Sequence, residues 1–252
     1  MPANNNHRAK SAWRKLSAGL TFVVAASTIS LAQMAAGTGN EMQQKLAALK
    51  QSAAANKEKL RHYQWVETRQ VTLKGEQKPE QVFQCTYGPN GQVQRVPLSA
   101  QPQAQQSGRR RGGGALRQHI VEKKTEEMKQ YMQEVTSLLA LYVPPNPQLM
   151  QQAIQKKNVA IEKNMGSSGV EAVFQNYAKQ GDKMTIGFDP ATRKITSINV
   201  NTYMDEPKDA VTLAVQMASL PDGANYAQQS VLNATAKQLQ VTTTNSNYVK
   251  IQ

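Results

Sequence analysis

Residues 62–75 read "HYQWVETRQVTLKG". From Tyr63 onward every second side chain (Trp65, Glu67, Arg69, Val71, Leu73) falls on one side of an extended chain. That period of two is the mark of a β-strand with one face covered, and Gly75 ends it. The residues before it follow a different rule. Asn40 is a good N-cap with Gln43 three residues on, as in a capping box. Met42, Leu46, Leu49, Ala53 and Leu60 then repeat at helical spacing. A helix therefore gives way to a strand near residue 62.

Further on, "EQVFQCTYGPNGQVQRVPL" (80–98) alternates Phe83, Cys85 and Tyr87 up to a Gly-Pro-Asn-Gly turn, with Val93 and Val96 beyond it. A hairpin is expected. From 99 to 117 the pattern is lost among Gln, Pro, Gly, Ser and Arg, including "SGRRRGGGALRQH" (107–119). Such a stretch buries too little apolar surface to offset its ordering entropy, and a disordered basic loop is expected.

Two helices follow. Val121, Met128, Tyr131, Met132, Val135, Leu138, Leu139 and Tyr142 share one helical face, and Pro144 and Pro145 stop it. Asn146 and Pro147 supply an N-cap and an N1 proline for the second helix. After Lys157 the chain reads as strands. "VAIEKN" (159–164), "GVEAVFQNYAK" (169–179), "KMTIGF" (183–188), "ITSINVNTYM" (195–204) and "AVTLAVQMASL" (210–220) come first. "QSVLNA" (229–234), "QLQVTTT" (238–244) and "NYVKI" (247–251) close the chain. Strand signals this regular predict an antiparallel meander. The fold expected is α+β: a curved, half-barrel-like antiparallel sheet with about three helices packed on one side.

The first 32 residues look like a secretory signal peptide. Arg8, Lys10, Arg14 and Lys15 precede an uncharged run from Leu16 to Ala32, and Ser30-Leu31-Ala32 offers a cleavage site. No cysteine stands directly after that run to carry a lipid. Export to the bacterial periplasm with cleavage after Ala32 is expected, leaving residues 33–252 as a single domain. The whole chain has 30 Lys and Arg against 17 Asp and Glu. Without the four basic residues of the leader the charge is +9. An anionic surface suits such a chain, through Arg109, Arg110, Arg111 and Arg117. Export removes nucleic acid as a partner, and no aromatics interleave the arginines for base stacking.

Chemistry finds little support. Cys85 is the only cysteine and is expected as a small buried apolar residue. His62 and His119 belong to no metal-spaced cluster, and there is no HExxH, CxxC, GxSxG or P-loop. Asp182 and Asp189 flank a short strand as turn residues. No catalysis, metal or cofactor is expected.

The stretch "MTIGFDPATRKITSINVNTYMDE" (184–206), together with an opening helix followed by "YQWVETRQV" (63–71), resembles the periplasmic lipoprotein-carrier superfamily, the LolA/LolB-like half-barrels. The resemblance covers the order of elements over most of residues 33–252. It implies a hydrophobic cavity for acyl chains between sheet and helical lid. It also implies a strand-borne arginine that governs lid opening, for which Arg69 is the candidate.

Glu67 and Arg69 share the otherwise apolar side of their strand. Either they pair inside, at a ligand head group, or a bulge turns both to water. Trp65, Glu67, Arg69, Phe83, Met128, Met132, Phe174 and Phe188 are the candidate ligand-binding residues; a closed core would use the same residue types. The function expected is that of a monomeric, non-enzymatic carrier holding a lipid or acylated partner. The alternative is an envelope interaction or sensor module that binds a protein or anionic surface through the basic loop and helix.

Overall fold

A computed structural model of the chain describes residues 51, 54–98, 114–163, 169–189, 191–192 and 194–251, with the side chains of the second helix given from residue 123. The expected leader, the start of the first helix and residues 99–113 of the basic loop lie outside them. Helix α1 is described over residues 54–60, α2 over Gly114–Leu139 and α3 over Pro147–Gln155. The strands are β1 (Tyr63–Leu73), β2 (Glu76–Gln77), β3 (Gln81–Tyr87), β4 (Val93–Pro97), β5 (Val159–Lys163), β6 (Val170–Gln175), β7 (Lys183–Asp189), β8 (Lys194–Tyr203), β9 (Ala210–Ser219), β10 (Asn225–Ala234) and β11 (Leu239–Lys250). The α+β class read from the sequence is the observed one. Two compact units divide the chain. Helix α2 falls in one, and the whole sheet with α1 and α3 falls in the other. Among the described residues no helix is long and apolar enough to cross a membrane.

The sheet is curved, antiparallel and unclosed, in the order β4-β3-β1-β11-β10-β9-β8-β7-β6-β5, with β2 beside β1. From β5 to β11 each strand lies beside its predecessor. The meander ends where β11 meets β1, with Tyr63 opposite Lys250 and Leu73 opposite Leu239.

Register sorts the alternating side chains into rows. On the inner face one row runs Val71, Val241, Leu232, Leu213, Val200, Met184, Phe174. All but Val71 are buried. Burying a side chain of this kind contributes about 1.5–3 kcal/mol, so such rows hold the sheet in its register. The neighbouring inner row runs Gln81, Arg69, Thr243, Ser230, Val215, Ile198, Ile186, Ala172, and so changes from charged through polar to aliphatic. The outer face shows three rows over five strands: Thr72, Gln240, Asn233, Thr212, Asn201; then Gln70, Thr242, Val231, Ala214, Asn199; then Thr68, Thr244, Gln229, Gln216, Ser197.

Helix α3 begins where its cap predicts. The Asn146 side chain accepts a hydrogen bond from Gln148 N, and Pro147 takes the first helical position. Four boundaries differ from the sequence reading. Helix α2 begins at Gly114, so Arg117 is helical and not part of the expected loop. Strand β6 ends at Gln175 and not at Lys179, because Asn176 turns to a φ of 49° and the Asp182 carboxylate gathers the next backbone amides. Strand β10 starts at Asn225 and not at Gln229. Asn56 of α1 holds it there, donating to Asn225 O (2.8 Å) and accepting from Asn225 N (2.7 Å). The expected strands 238–244 and 247–251 are one strand, β11, kinked at Asn247.

Candidate functional site

Strand β1 brings Trp65, Glu67 and Arg69 onto the inner face, each 3–4% exposed. The alternation runs through them unbroken; the extra residue at this seam is on β11, not β1. Glu67 and Arg69 therefore both turn inward. The Arg69 Nη2 donates to Glu67 Oε1 at 2.5 Å. A second guanidinium arrives from β4, since the hairpin sets Arg95 opposite Cys85 and Cys85 opposite Trp65. The Arg95 Nε donates to both Glu67 oxygens (3.0 and 3.1 Å), and its Nη2 to Oε2 (3.0 Å). One carboxylate is thus chelated by two arginines, a geometry that orients all three planar groups.

The walls of this polar centre are aromatic. Phe83 lies opposite Glu67 on β3, and the Arg69 guanidinium sits over its ring, 5.5 Å from the centroid. Trp65 stacks on Tyr248 at 5.5 Å with 8° between the planes, and meets Tyr87 at 5.3 Å. The Trp65 indole N–H donates to Asn245 Oδ1 (3.1 Å), and Asn245 Nδ2 donates to Ala227 O (2.9 Å). Burial dominates the electrostatics here. It lowers the Arg69 guanidinium from its ordinary value, with Glu67 opposing most strongly. It pushes the Cys85 thiol up to about 11, helped by the Glu67 charge, and it raises the Tyr87 and Tyr248 hydroxyls.

Of the candidate residues, the structure brings together Trp65, Glu67, Arg69 and Phe83. Phe174 on β6 and Phe188 on β7 share the inner face at the other end of the sheet, where both are buried. Phe174 meets Tyr177 edge-on at 5.9 Å. Met128 and Met132 are half-buried residues of α2, in the other unit. Arg109, Arg110 and Arg111 lie outside the described residues, as does the side chain of Arg117.

Three members were not read from the sequence. Arg95 could have been found by counting back from the Gly-Pro-Asn-Gly turn, because pairing Tyr87 with Val93 forces Cys85 opposite Arg95. Asn245 and Tyr248 were hidden by the kink at Asn247, which carries no hydrophobic signal.

A second buried carboxylate serves structure. Asp182 accepts from Tyr142 OH and Tyr177 N (both 2.5 Å), Ala178 N (2.9 Å) and Lys179 N (2.7 Å), and Tyr142 also meets Thr202 Oγ1 at 2.8 Å. Tyr177 OH reaches Asn146 O and N, locking this turn to the start of α3. Asp189 accepts from Ala191 N and Thr192 Oγ1 in its own turn, which holds its carboxyl below the usual range. Both are the turn residues the sequence suggests. Among the described residues no group of three His, Cys, Asp or Glu is placed to hold a metal ion.

No family model matches the chain, and no curated protein matches it. Among solved structures it is similar to a DUF1329 family protein from Desulfovibrio piger, at 9% identity and a TM-score of 0.37, over 78% of this chain and 90% of that one. A likeness of that degree carries no argument about function.

Proposed function

We propose that this is an exported, non-enzymatic carrier that holds an amphipathic ligand, a lipid or an acylated partner, along the inner face of its sheet. The observation that supports this is the inner row from Arg69 to Ala172. It passes from guanidinium through Thr243 and Ser230 to Val215, Ile198 and Ile186. A ligand with a polar head and an acyl tail has the same order of chemistry along its length. The head would meet the Glu67, Arg69 and Arg95 centre with its aromatic wall, and the tail would run towards Phe174 and Phe188. The leader-like first 32 residues support export.

The test is native purification from the periplasm, organic extraction and mass spectrometry. A stoichiometric lipid is expected, depleted in an Arg69→Met, Arg95→Met double variant. Protein that carries no lipid, takes none up from mixed micelles and shows a dry, close-packed interior would refute the reading.

A further inference from the structure

The centre built by Glu67, Arg69 and Arg95 is unbalanced in charge. Two guanidiniums share one carboxylate, so two positive charges meet one negative and the sum is +1. Two ionisable neighbours leave that sum unchanged at neutral pH. Burial pushes the Cys85 thiol up to about 11 and raises the Tyr87 hydroxyl, so both keep their protons. An excess charge shielded from water loses hydration, and an opposite charge that brings hydrogen bonds restores what is lost.

The centre is sealed on one side and open on the other. Trp65, Glu67 and Arg69 on β1 are buried, whereas Gln81 and Phe83 on β3 and Arg95 on β4 are half-buried. Its accessible part therefore lies on the β3–β4 side, at the end of the sheet order. Gln81 stands opposite Arg69 in the β1–β3 register, and its Oε1 has no hydrogen-bond partner among the described residues. The carboxamide can turn its N–H groups towards an anion without Oε1 giving up a bond.

Other heads find less at this centre. The Glu67 oxygens accept once from Arg69 and three times from Arg95, so a cation has to displace a guanidinium to reach them. The Phe83 ring already carries the Arg69 guanidinium, and Trp65 is in contact with Tyr248 and Tyr87, so the rings that would hold an ammonium are engaged. A neutral head leaves the excess charge as it was. We propose, on the carrier reading above, that the lipid head taken here is an oxyanion, a carboxylate or a phosphate, held by Arg95 and Gln81 on the β3–β4 side. The planar fork of a guanidinium matches both kinds of head.

The experiment is calorimetric titration into the full chain of four amphiphiles that share a decyl tail, each below its micelle concentration: decanoate, decyl phosphate, decanol and decyltrimethylammonium. Inorganic phosphate is titrated beside them. Decanoate and decyl phosphate should bind about tenfold or more tighter than decanol, with decyltrimethylammonium weakest and inorganic phosphate far below decyl phosphate. Arg95→Met should remove the preference for anionic heads, and Arg95→Lys should keep part of it. Lys183→Met deletes an exposed positive charge on β7, in register with outer-face Asn201, and should leave the preference intact. Equal binding of the four amphiphiles, tighter binding of the cationic one, or a preference that survives Arg95→Met would overturn the inference and leave the carrier reading standing. No binding by any of the four would overturn both. Inorganic phosphate that binds as tightly as decyl phosphate would make free phosphate the ligand, and would also overturn both.

Discussion

Glu67 accepts from two guanidiniums, and it is 3% exposed. Removing its charge leaves Arg69 buried without its principal counter-ion. Glu67→Gln should therefore cost about 3–5 kcal/mol, read from urea unfolding. Arg95→Met should cost less, because that side chain is 18% exposed and Glu67 keeps Arg69. Cys85 gives a pH signature. An acid whose folded value is raised keeps its proton where the unfolded chain has lost it. Stability should then be intact below the ordinary thiol value near 8.5 and fall as pH rises towards about 11. Urea midpoints taken across that window should fall less steeply in Cys85→Ala. At this scale the sequence was informative but incomplete. Parity along one strand put Glu67 and Arg69 together on the inner face, whereas the second guanidinium on Glu67, that of Arg95, is supplied from another strand by a hairpin register. Burial of Cys85 was legible because its neighbours Phe83 and Tyr87 alternate with it.

At the scale of elements, strands with unbroken alternation were readable and irregular ones were not. Strand β11 looked like two because Asn247 adopts a φ of 53° and interrupts the period. That one residue shifts parity, so Tyr248 lands on the same face as Trp65 and stacks on it. Asn247→Val should cost about 1–3 kcal/mol, since a β-branched residue resists positive φ. Deleting Asn247 should turn Tyr248 to the outer face and abolish the near-ultraviolet circular dichroism of the Trp65–Tyr248 stack. The cap of α3 was legible as Asn-Pro. Asn146→Ala should lower thermal stability by about 1 kcal/mol. Asp182 was legible as a turn residue, but the start of its turn at Asn176 was not, because it is organised by a carboxylate with no apolar pattern to announce it.

For the whole molecule, class and element order followed from periodicity, but strand order did not. A meander can be extrapolated from neighbour to neighbour. The pairing of β1 with β11 cannot, because nothing local links residues so far apart; Trp65 and Asn245 are 180 positions apart in the chain and 3.1 Å apart in the fold. That seam gives the inner face its polar end, and among the described strands it is where β1–β4 pair with the rest of the sheet. Ending the chain at Gln238 should leave the remaining strands unable to form a protease-resistant sheet, as measured by limited proteolysis. The seam also sets an order of events. Made from its N-terminus, the chain produces β1 long before β11. Until β11 appears, the strand that carries Trp65, Glu67 and Arg69 lacks one of its two main neighbours. Closing a loop of this length is slow and late. The nascent protein must therefore keep a strand that carries both an indole and an ion pair shielded while the rest is made, a burden that falls on chaperones and that a chain lacking β11 can never discharge.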